Sequence, residues 1–158
     1  MLYTENDLNQ LKGQINSRRN LLILISAVLT AGIVAGFVLR QKPLTMALTA
    51  VLGFLLIFFI EIAIRPISAY ARYVGNMLHG RTHELEAVFR SFSRDTDVVD
   101  GVRCHAVSVT DETGTEPCER LFYFDDLKEF PSLTAGARVR LTYHDRELAD
   151  IRAIGSAE

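Results

Sequence analysis

Two apolar runs decide the reading of this chain: Leu21–Leu39, LLILISAVLTAGIVAGFVL, and Leu44–Ile64, LTMALTAVLGFLLIFFIEIAI. Only Arg40, Gln41, Lys42 and Pro43 separate them, and Glu61 is the one charge inside either run. At 1.5 Å rise per residue the runs reach about 28 and 31 Å as helices, roughly one hydrocarbon thickness each. So short a link permits only an antiparallel hairpin. The expectation is a two-span membrane protein. A cleaved signal peptide would carry a shorter apolar region, a small-residue cleavage site and polar sequence after it. Here a second span follows almost at once.

Charge divides the 158 residues into two halves. Residues 1–80 carry seven basic and three acidic side chains, a net of +4, and residues 81–158 carry ten basic and sixteen acidic, a net of −6. The first half reads as a membrane anchor with basic flanks. The second reads as a small water-soluble domain near the lower size limit for independent stability. Lys12, Arg18 and Arg19 precede the first span, and Arg65, Arg72 and Arg81 follow the second. Against Arg40 and Lys42 in the link, this places both termini in the cytoplasm of a bacterial-type inner membrane. Cys104 and Cys118 agree. A hairpin turning at Thr113-Gly114-Thr115, with facing positions summing to about 228, holds the two sulfurs too far apart for a disulfide. Unbonded thiols suit a reducing compartment.

Outward from the spans, residues 1–19 read as a short amphipathic helix. Thr4 and Asp7 form its capping box, and Leu8, Leu11 and Ile15 its apolar face. Residues 20–65 form the hairpin. Gly32 and Gly36 form a GxxxG, and Thr45, Thr49 and Gly53 repeat at four-residue spacing. Small residues of this kind let helix backbones approach in lipid. The assigned helix-packing positions are Gly32, Gly36, Thr49 and Gly53. Glu61 precedes Arg65 by four residues, an interfacial ion pair rather than part of a conduction path. Residues 66–80 read as a second amphipathic helix beginning at Pro66. Arg18, Arg19, Tyr70, Arg72 and Tyr73 are expected to anchor the membrane interface.

Residues 81–155 switch to strand patterning. Strands are expected over His83–Arg94, Val102–Thr110, Cys118–Phe124, Ala137–Tyr143 and Leu148–Ile154. A turn is expected over Asp97–Gly101, and a helical turn over Asp125–Phe130 capped by Asp125. Five strands with an insert after the third match an OB-type barrel, with an SH3-like barrel as the alternative. Anchor and barrel in this order resemble the NfeD-type membrane proteins. That likeness lies in the order of residues 20–65 and 81–155 and carries no residue assignments.

The motifs for chemistry are absent. The soluble half is too acidic for nucleic acid, and its phenylalanines fall at core positions. His79, His83, Cys104, His105 and His144 show no metal-ligand spacing. Asp125, Asp126 and Glu129 read as a capped, solvated turn. No phosphate loop, nucleophile elbow or zinc-protease motif occurs. The sequence therefore predicts a non-enzymatic interaction or scaffold module, with no cofactor, metal or small-molecule ligand. Its expected partners are the bilayer and either a protein partner or a second copy of itself. The second reading is an accessory subunit of a larger membrane transporter or enzyme, engaged through the spans. An enzyme would gain support if His105 or His144 faced a carboxylate in a cleft.

Overall fold

The computed structural model describes residues 2–112 and 117–154. It divides into two compact units, Asn9–Ala71 and Met1–Leu8 with Arg72–Glu158. The expected turn at Thr113-Gly114-Thr115 lies outside the described residues.

The hairpin is built from helix α1 (Glu5–Val38), helix α2 (Lys42–Phe59), a π-helical turn (Ile60–Ile64) and the start of helix α3 (Arg65–His79). The expected amphipathic helix and first span are one continuous helix, because no glycine or proline interrupts Gln14–Leu21. The capping box forms as read. The Asp7 N–H donates to Thr4 Oγ1 (3.3 Å) and the Thr4 N–H to Asp7 Oδ2 (3.0 Å). Arg40, at φ 54°, turns the chain, and the ring of Pro43 starts α2 where its missing N–H costs nothing.

Beside this turn the glycines of α1 meet α2 side chains at short range. A Cβ on Gly36 would lie 3.0 Å from Thr45 Oγ1, and one on Gly32 3.3 Å from Leu48 Cδ1. Farther along, Arg18 Nη1 donates to the Ala63 carbonyl at 2.9 Å. These pairs all face across an antiparallel hairpin. Pro66 explains the π turn. Its ring would collide with the carbonyl four residues back, and one extra residue in the turn relieves the clash. The Arg65 N–H reaches Ile60 O, five residues back. The outer surface is apolar: Phe37 is 78% exposed and Met46 74%. Both helical runs are long and apolar enough to cross a membrane.

The second unit centres on a closed five-stranded barrel of β1 (His83–Val99), β2 (Val102–Asp111), β3 (Cys118–Asp125), β4 (Arg138–His144) and β5 (Glu147–Ala153). An OB-like or an SH3-like description fits it at this level. Neighbours run β1-β2-β3-β5-β4, and the first half of β1 closes the barrel against β4. Register shifts at Phe89/Ser91 and Phe92/Thr96 bend β1 enough to serve both partners. Leu85, Ala87, Phe89, Val107, Val109, Phe122, Phe124, Val139, Leu141, Leu148 and Ile151 form the core. Phe92, out of phase after the first shift, packs on this core from its edge.

Three details differ from the sequence reading. β1 runs on through Asp97-Val98-Val99, leaving Asp100 (φ 51°) and Gly101 (φ 84°) as a two-residue turn of the kind that twisted hairpins favour. Asp125–Phe130 is not helical. Asp125 Oδ1 accepts the Leu127 N–H (3.0 Å), closing a local turn that competes with a helix. Cys104 faces Asp125 and Cys118 faces Asp111, one position off the expected register. Both cysteines are free.

Candidate functional site

The β2–β3 register gathers polar groups at one end of the barrel. Cys104 lies opposite Asp125 and His105 opposite Phe124. The turn after β3 is pinned to β2 by the Asp126 N–H donating to Arg103 O (3.1 Å). That places Asp126 Oδ1 3.0 Å from His105 Nε2 and Asp126 Oδ2 3.4 Å from Arg103 Nη2. The His105 ring packs against Phe92, centroids 5.0 Å apart, and its buried Nδ1 has no partner among the described residues. A histidine facing a carboxylate is half of what an enzyme reading required. No serine, threonine or cysteine is seen hydrogen-bonding His105 among the described residues. His144 faces a backbone carbonyl, Arg81 O at 2.9 Å, and stands 3.9 Å from Asp145.

Beneath this surface, Asp125 is fully buried. Its carboxylate accepts the Tyr3 hydroxyl (3.2 Å), a bond between residues 122 apart in sequence. Tyr3 meets Tyr73 edge-to-face at 5.9 Å, and Lys128 Nζ lies over the Tyr3 ring at 5.3 Å. The Leu2 N–H reaches Ala149 O, and Glu5 pairs with His79 at 3.0 Å. Residues 2–8 are thus part of the barrel unit, sewn to α3 and to the barrel wall. Desolvation raises the Tyr73 phenol well above its ordinary value and, together with the charge of Asp125, pushes the Cys104 thiol up to about 12. The thiol of Cys104 is therefore inert at neutral pH. Hydrogen bonds from Thr4 hold the Asp7 carboxyl below its ordinary range.

The structure distributes the sequence-assigned residues unevenly. Gly32 and Gly36 face α2, where Thr45 and Leu48 meet them. The Thr49 hydroxyl donates back to Thr45 O (2.8 Å), and Gly53 faces open space, with nothing within 4 Å of a built Cβ. Gly53 therefore takes no part in packing α1 on α2. Glu61 and Arg65 form their pair at 2.5 Å on the exposed surface. Arg18 is engaged by Ala63 O, Arg19 and Arg72 are exposed, and Tyr70 is half-buried. Tyr73 departs from its assignment. It is 3% exposed, packed on Tyr3 inside the barrel unit rather than free at an interface.

A shallow groove on the barrel wall is lined by Thr82, Glu84, Arg140, Thr142, Asp150 and Arg152. Arg140–Glu86 (2.7 Å) and Arg152–Asp150 (2.8 Å) balance its charges locally. No group of three or more metal-ligating side chains occurs among the described residues. No protein-family model matches the chain, and no match is found among curated proteins or solved structures.

Proposed function

We propose that this is a two-span membrane protein of a bacterial-type inner membrane, with both termini in the cytoplasm, whose OB-like barrel is a non-enzymatic protein-interaction module. One observation carries the reading. Residues 2–8 and residues 72–79 lie on either side of the apolar hairpin in sequence, yet both belong to the barrel unit. A chain that leaves and re-enters the same folded body through two apolar, exposed helices fits an anchor crossing the bilayer and returning. The parallel β3–β5 contact, Tyr123 against Glu147, supports the OB-like description over an SH3-like antiparallel meander.

The sheet edge supports the interaction role. The Tyr123 N–H points across to β5, donating to Arg146 O at 2.8 Å. By strand alternation the backbone groups of Glu119 and Leu121 point the same way. Register pairing with β5 ends at Tyr123, and Cys118–Leu121 is exposed. Such an edge accepts an added strand. The second reading, a subunit engaged through its spans, is favoured by an apolar groove along α2 lined by Ala50, Val51, Phe54, Phe58 and Ile62.

Purification of the full-length protein in mild detergent, with mass spectrometry of what co-purifies, separates the readings. Loss of a stoichiometric partner in Leu121→Pro but not in Phe58→Ala supports the barrel module. The converse supports the subunit reading. Recovery of the wild-type protein alone counts against both.

A further inference from the structure

The open groove along α2 begins at Ala50 and ends at Ala63, inside the π turn. Phe54 and Phe58 stack in it with centroids 4.1 Å apart, and every side chain that lines it is apolar. From Ala50 to Ala63 is about 20 Å at helical rise, enough to carry an acyl chain through one leaflet of ~15 Å. A cation stands at the Ala63 end. Arg18 Nη1 donates to the carbonyl of Ala63 at 2.9 Å. The bond follows from the register of the hairpin. Gly36 meets Thr45, Gly32 meets Leu48 and Arg18 meets Ala63, facing positions that sum to 80 or 81. It takes one of the five donors of the guanidinium fork and fixes where the others stand. This level is the edge of the apolar surface, which opens on α1 at Leu21 and includes Ile62 across the hairpin. Among the described residues no carboxylate pairs with Arg18. Glu61, the one acid of Asn9–Ala71, is already taken up by Arg65.

We propose that this groove binds one anionic phospholipid, with an acyl chain along Phe54 and Phe58 and the headgroup phosphate on Arg18. The site rests on the two-span reading and stands whatever the barrel binds. Apolar lining over the whole length calls for an apolar occupant, and the guanidinium at its end calls for an anion. A phosphate meets a guanidinium through two parallel hydrogen bonds, and lipid phosphates lie at the depth where the apolar surface ends. A partner helix in the groove would have to bring its own acid to the hydrocarbon boundary, where carboxylates are costly. A zwitterionic lipid carries an ammonium that competes with Arg18 for its own phosphate, whereas an anionic head leaves the phosphate free. One arginine near anionic headgroups corresponds to a preference of about fivefold for the anionic lipid.

The chain has no tryptophan, so one introduced indole reports alone. Phe58→Trp puts it in the groove, and Ile57→Trp puts it on exposed surface outside the groove. Each full-length variant is reconstituted in phosphatidylcholine vesicles with a minor share of brominated phosphatidylglycerol or brominated phosphatidylcholine, and quenching of its emission is measured. Phe58→Trp is expected to favour phosphatidylglycerol about fivefold and Ile57→Trp to show near parity. Adding Arg18→Gln to Phe58→Trp is expected to abolish the preference, and adding Arg19→Gln, an equal loss of charge, to retain it. Parity in Phe58→Trp, an equal preference in both reporters, or equal losses from the two arginine variants overturns the site and leaves the two-span reading standing. Quenching of Ile57→Trp alone means that protein covers the groove, a second copy or a partner, and also overturns the site. Quenching of neither reporter overturns the two-span reading and the site with it. If Phe58→Trp fails to fold, native mass spectrometry of the unaltered chain in detergent with equal amounts of the two lipids decides. Retention of one phosphatidylglycerol, lost in Arg18→Gln, supports the site, and retention without preference overturns it.

Discussion

Tyr3 and Gly36 show how much rests on single side chains. The Tyr3 hydroxyl is one of the groups that meet the fully buried Asp125 carboxylate. Tyr3→Phe keeps the ring packing on Tyr73 and withdraws a hydrogen bond from a buried charge. It is expected to cost roughly 1.5–3 kcal/mol of barrel stability, read as a lower midpoint in urea unfolding followed by circular dichroism. Gly36→Leu forces a branched side chain against Thr45 and is expected to cost about 1–3 kcal/mol through overpacking. Gly53→Leu, which meets open space, is the control and should leave thermal stability in micelles unchanged. These two glycines also mark what a residue pattern reveals. The GxxxG and the Thr45/Thr49/Gly53 strip were both legible as small-residue faces. Which of them meets the partner helix depends on helix rotation, and spacing alone does not encode it.

Elements were more legible than their joints. The hairpin, the capping box, the five strands and the core alternation in Leu85, Ala87 and Phe89 all follow from local periodicity. What escaped local reading depends on contacts distant in sequence. The fusion of the first amphipathic helix with the first span needs only the lack of a breaker, which a change of polarity at Leu21 disguises. The burial of Tyr73 depends on Tyr3, seventy positions earlier, and its period-3.6 placement looks the same for a headgroup anchor. The extension of β1 through Asp97-Val98-Val99 depends on β2 continuing opposite it, and acidic residues masked the strand. At this scale Gly80 is the test of the helix-to-barrel joint. Gly80→Ala drives a methyl into Asn76 O and the His144 ring and is expected to lower stability by roughly 1–3 kcal/mol in thermal unfolding. Pro66→Ala removes the cause of the π turn. Amide exchange should then slow across residues 60–66 as regular helical hydrogen bonds replace it.

For the whole molecule, the cysteines offer a reading of topology. Cys118 is exposed, whereas Cys104 is fully buried with its thiol pushed up to about 12. A membrane-impermeant maleimide therefore reports on Cys118 alone. Inverted vesicles should label and intact cells should not. The opposite pattern would place the barrel outside. Once the barrel unit opens, Cys104 reacts as well, so its slow alkylation measures the opening rate of the unit.

The Tyr3–Asp125 bond has a consequence for how such a chain is made. A domain whose first strip is synthesised before the hairpin, and whose remainder follows it, is interrupted by two long apolar helices. Residues 2–8 leave the ribosome long before Asp125 and Ala149 exist to receive them. Under the two-span reading, the barrel unit is completed only when both crossings succeed and bring the later residues back to the starting side. A chain that inserts one helix and not the other strands its halves across the membrane, with Asp125 missing its tyrosine. Under that reading, correct insertion and a finished domain are a single event, and quality control of the hairpin is written into the packing of the barrel unit.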